Sequence, residues 1–136
     1  MSAWLDVGQA QRVLPWLDSL RAAADVPAKL VLTRALRQLG ADRASDALAL
    51  RLGRAHPADP AAVLSMLRVA HGNQGAYAYW RLAKGLAPAD DASPADRAGW
   101  LSLRGCWLAG LRDDAAAIAS QRQALALCAD DPWLWV

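Results

Sequence analysis

Apolar residues recur along this chain at the three- and four-residue intervals of a helix face. The clearest case is Trp100, Leu103 and Trp107, preceded by Ser93-Pro94. A serine followed by proline predicts a helix start, because the missing proline N–H has no intrahelical partner to lose there. Gly110 is placed to end that helix and Asp113 to cap a second. The second helix is predicted to bury Ala116, Ala119 and Gln123 beside Ile118 and Leu125, and Asp131-Pro132 opens a further start. The stretch is predicted to be a helical hairpin, aromatic on its first helix and small on its second.

The same order of signals precedes it. Asp25-Val26-Pro27 opens a helix with the stripe Leu32, Leu36 and Leu39, and Gly40 stops it. Asp42 is predicted to cap the return helix, which buries Ala44, Ala47, Leu48 and Leu52. Asp59-Pro60 starts the next hairpin, with Leu64, Leu67 and Ala70 inward, a turn at Gly72-Asn73-Gln74-Gly75, and Tyr77 and Trp80 on the return. Upstream, Trp4, Leu5, Ala10, Val13 and Leu14 continue into Trp16, Leu17 and Leu20, with a break expected at Pro15. This divides one domain into an N-terminal helical cap (1–26), hairpins over 27–59, 60–93 and 94–131, and a tail over 132–136.

Prolines 27, 60, 94 and 132 are separated by 33, 34 and 38 residues, and glycines 40, 75 and 110 by 35 each. A period near 34 marks hairpins that stack because none can bury its apolar face alone. With Trp100-x-x-Leu103, Trp107, and small residues Ser45 and Ala116 on the second helices, the chain resembles the tetratricopeptide-repeat family. The resemblance implies an all-α, TPR-like helical-hairpin stack, an α-solenoid of about three hairpins with an N-terminal cap. It also implies a concave groove lined by the first helices. The groove positions it gives are Leu30, Arg34, Ser65, Val69, Leu101 and Leu108, a largely apolar set suited to an amphipathic helix.

Two short stretches look like the needle-subunit chaperones of type III secretion. They are Asn73-Gln74-Gly75-Ala76-Tyr77, and Gly99-Trp100-Leu101-Ser102-Leu103 through Cys106-Trp107-Leu108 to Gly110-Leu111. That likeness implies a non-catalytic chaperone or adaptor that shields a secreted needle or translocator subunit before export. A self-associating scaffold, its groove filled by a second copy, is the first alternative. RNA binding by a helical repeat is the second.

Composition narrows these readings. Hydrophobic residues make up 55% of the chain, and a single Ile and a single Thr leave little to build strands. The net charge is +2, from thirteen Arg and two Lys scattered among acidic residues, so no basic stripe marks a nucleic-acid partner. The start of the chain lacks a secretory signal pattern and no segment has the length of a membrane span, so the cytoplasm is the expected location. Cys106 and Cys128 are expected to be reduced core residues. There is no Cys-x-x-Cys and no His-x-x-x-His, and the pairs Asp90-Asp91, Asp113-Asp114 and Asp130-Asp131 fall where Asp caps helices. The expectation is therefore no metal, no cofactor and no catalysis.

Overall fold

The computed structural model of the protein describes residues 1, 4, 5, 7–88 and 91–130, with the backbone alone at 73 and 74. The tail over 132–136 and the Asp131-Pro132 start lie outside the described residues. A 3₁₀-helix over Ala10–Trp16, with Pro15 inside it, leads into α1 (Leu17–Ala22). Then follow α2 (Val26–Gln38), α3 (Asp42–Ala55), α4 (Pro60–Ala83), α5 (Pro94–Gly110) and α6 (Asp114–Leu127). The protein is all-α: no strand occurs among the described residues.

Three of these helices start on side-chain caps spaced 34 residues apart, at Asp25, Asp59 and Ser93. The Asp25 carboxylate accepts from the Ala28 N–H at 3.0 Å, and that of Asp59 from Ala62 at 2.9 Å. The Ser93 hydroxyl accepts from the Asp96 N–H at 3.1 Å and donates to the Asp96 carboxylate at 2.7 Å. Each cap satisfies an otherwise orphaned donor, a contribution of about 1 kcal/mol. Asp113 caps α6 in the same way through Ala116, at 3.2 Å. Asp42 does not act as a cap: it is the first residue of α3, where its charge faces the positive helix end.

Each helix packs on its neighbours in sequence, and α2 also touches α4. The α2–α3 turn uses Gly40. In α4 the turn is shorter than the expected four residues. The helix runs up to Gly75, whose φ of 80° and ψ of 174° break it. The second arm then folds back, so that Tyr79 and Ala83 share a core with Val63, Met66, Leu67 and Ala70. Only glycine takes that φ without strain.

The core falls into three clusters in chain order. The N-terminal segment contributes Leu5, Ala10, Val13 and Leu20, which pack with Leu32, Ala35, Leu48 and Leu52. Leu14 and Trp16, expected inside, are about half exposed. Trp100, Leu103 and Trp107 pack on the α4 cluster, so the aromatic stripe of α5 joins the second hairpin to the third. The opposite side of α5 meets α6 around Ala98 and Ala124.

On the return helices the buried faces differ from expectation. α3 buries Ser45, Leu48, Ala49 and Leu52, leaving Ala44 and Ala47 outside. α6 buries Ala117, Ser120 and Ala124, leaving Ala119, Ile118 and Gln123 exposed and Ala116 and Leu125 half-buried. Backbone proximity explains the choice. A Cβ added to Gly105 of α5 would stand 3.2 Å from the Ala117 carbonyl oxygen, and one on Gly53 of α3 only 2.5 Å from the Met66 Cβ. At such separations a small residue fits and an isoleucine does not.

Candidate functional site

The 34-residue spacing of the caps sets α2 and the first arm of α4 in the same register. Arg34 and Arg68 each stand nine residues past their cap, Asp25 and Asp59. Where α2 lies beside α4, one depression is lined by Thr33, Arg34 and Arg37 from α2 and by Ser65, Arg68, Val69 and Gly72 from α4. It holds about 760 Å³ of space open to solvent. Val69 is buried, Ser65 half-buried, and the three arginines exposed.

Arg37 is held from outside the depression by an ion pair with Asp46 of α3. The Thr33 hydroxyl donates to the Lys29 carbonyl at 2.8 Å within its own helix, as Thr commonly does. Among the described residues no acidic side chain belongs to the lining. The surface is therefore mixed: the arginine stems and Val69 give it apolar area, and three guanidinium groups give it positive charge.

Three of the six expected groove residues, Arg34, Ser65 and Val69, meet in this depression. The other three lie elsewhere. Leu30 packs on the N-terminal core cluster. Leu101 packs with Ala98 and Ala124 between α5 and α6, and Leu108 continues that helix face and is buried. Arg37 and Arg68 escaped the sequence reading. For Arg68 the signal was the repeat phase, 34 residues after Arg34, which the caps carry more evenly than the prolines do; Arg37 has no such counterpart, since His71 holds its equivalent position.

A second depression lies between the second and third hairpins, walled by Pro57, Pro60, Leu64, Leu86, Pro88 and Trp100. None of the expected groove residues reaches it. Elsewhere, the His71 ring meets the Tyr79 ring edge-on at 5.7 Å, and His56 is exposed at the end of α3. Both cysteines are free thiols, but Cys106 is exposed and only Cys128 is partly covered, so Cys106 is not the core residue expected. Among the described residues no three His, Cys, Asp or Glu side chains stand together as a metal site. No described helix is long and apolar enough to cross a membrane.

Comparison of the chain with protein-family models, with curated proteins and with solved structures gives no match.

Proposed function

We propose that the protein is a TPR-like hairpin stack that acts as a non-catalytic protein-binding module. The depression between α2 and α4 receives a helical segment of a partner. One observation carries this reading: residues in equivalent phase on two successive first helices, with Ser65 and Val69 beside them, line a single open concavity. The more specific form is a cytoplasmic chaperone or adaptor for a secreted helical subunit, supported by the sequence likeness at Asn73–Tyr77 and Gly99–Leu111.

A second reading, self-association, is favoured by α6. Ile118 is exposed on the last described helix, at the end of the stack where a further hairpin would pack. Site-specific photocrosslinking separates the two. A crosslinker at Ser65 is expected to capture a distinct protein, and one at Arg43, exposed on α3, to capture nothing. A homodimer crosslinked from Ile118, with no product from position 65, would replace the binding-module reading with the scaffold.

A further inference from the structure

We infer that the segment received between α2 and α4 is an acidic amphipathic helix, whose carboxylates meet Arg34, Arg37 and Arg68. This inference rests on the binding-module reading and specifies the chemistry of its partner. Charge complementarity points to it. Among the described residues, the depression gathers three arginines and no acidic residue into its lining, although the whole chain carries only +2. These arginines do not have to be idle to serve. A guanidinium has five N–H donors, so Arg37 can keep Asp46 and still offer a face to a second carboxylate.

The placement also fits a helix better than an extended acidic strand. Arg34 and Arg37 are about one turn apart on α2, and Arg68 stands on α4 in the phase of Arg34, lining the same depression while its guanidinium reaches toward Gly99 of α5. Carboxylates spaced three or four residues apart on one partner helix match such a set. Val69 and the arginine stems leave room beside them for the partner's apolar stripe. The same charges do not favour a nucleic acid. Among the described residues no aromatic side chain lines the depression to stack on a base, and single-strand binders combine charge with such stacking.

The test uses the full chain and three probes. One is a Leu/Ala/Glu amphipathic peptide of about 16 residues, long enough to form helix on docking. The second is the same peptide with Gln for every Glu. The third is an oligothymidylate. The acidic peptide is expected to bind, and to weaken about tenfold as salt rises from about 50 to about 500 mM. The Gln peptide, or the double variant Arg34→Glu/Arg68→Glu, is expected to lose about tenfold in affinity. A Lys version of the peptide should bind that double variant better than the wild type. Both positions are exposed, so the helical circular dichroism is expected to persist while affinity falls.

Three results would overturn the inference in different ways. Equal binding of the Glu and Gln peptides, insensitive to charge reversal but abolished by Ser65→Trp, removes the acidic partner and keeps the groove. Tighter binding of the oligothymidylate, competing with the peptide, makes phosphate the ligand. No binding of either peptide at any salt defeats the groove reading together with the inference.

Discussion

Ser45 of α3 donates its hydroxyl hydrogen to the backbone carbonyl of Thr33 in α2, at 2.8 Å, and is itself fully buried. Ser120 of α6 does the same to the Leu101 carbonyl of α5, at 3.0 Å. In both hairpins a serine on the return helix ties down the first helix while letting the two backbones approach. Ser45→Ala is expected to destabilise the protein by about 1 kcal/mol, through loss of the bond. Ser45→Leu should cost about 2–3 kcal/mol, because no space exists for the added carbons. Urea unfolding with an unchanged m-value and a lowered midpoint checks both. An equal effect of the two substitutions would mean that α3 moves away to accommodate the leucine.

Among the described residues Tyr79 is the largest fully buried side chain, and its hydroxyl has no hydrogen-bond partner there. Its ring lies 6.2 Å from that of Trp107, whose indole N–H is likewise buried and unpaired. A buried polar atom without a partner carries its full desolvation penalty. Tyr79→Phe removes that atom and keeps the ring, so stability should rise by about 1 kcal/mol.

The same residue sets an alkaline limit. Burial, and secondarily the nearby Cys106, push the Tyr79 phenol above its ordinary value. The unfolded chain then loses this proton near pH 10 while the folded chain still holds it. Binding more protons when folded means that stability falls as pH rises beyond that point. Melting temperatures of the wild type should therefore drop more steeply above about pH 10 than those of Tyr79→Phe. Parallel curves would show that the phenol titrates freely in the folded protein.

Helix starts were the most legible part of this chain. Asp25, Asp59, Ser93 and Asp113 cap where expected, because a cap is a local device written in two or three adjacent residues. The buried faces of α3 and α6 were much less so. Ile118 drew the predicted stripe of α6 to the outer side, whereas the inner side is chosen by how near α5 comes at Gly105. That distance is tertiary and has no signature within α6. Tyr79 was passed over for Tyr77 and Trp80 for a related reason: the reversal at Gly75, later than expected, rotates the second arm and turns Tyr77 to solvent. At the candidate site, the repeat spacing leads to Arg34, Ser65 and Val69, while Leu101, expected in the groove, packs between α5 and α6, and Leu108 is buried.

Gly110 and Arg112 divide a task that one glycine was expected to perform. α5 ends at Gly110, but the left-handed residue of the turn is Arg112, with φ of 66°. Gly110 is needed for another reason: a Cβ there would stand 2.5 Å from the Cβ of Ala76, at the contact between α5 and the second arm of α4. Arg112→Gly should relieve backbone strain and raise stability by about 0.5–1 kcal/mol. Gly110→Val should lower it by about 2 kcal/mol by forcing the arm away. Thermal melts of the two variants should shift in opposite directions. A stabilised Gly110→Val would show that the Ala76 contact is loose.

Leu101 offers a test of how the hairpins share their stability. It packs with Ala98, Ala124 and Leu125 at the α5–α6 contact. Leu101→Asp sets a charge among apolar neighbours and is expected to remove about 2–4 kcal/mol. Because each helix packs chiefly on its neighbours in sequence, the loss should stay near its source. Hydrogen exchange should accelerate strongly across α6 and the adjoining part of α5, and weakly in α2 and α3, which have their own core with the N-terminal segment. Arg34→Glu, exposed on α2, should leave the exchange pattern of all helices unchanged. An even loss of protection from α2 to α6 in Leu101→Asp would mean that the hairpins open as one cooperative unit. The Trp100, Leu103 and Trp107 contact with the second hairpin would then couple the stack more tightly than nearest-neighbour packing alone requires.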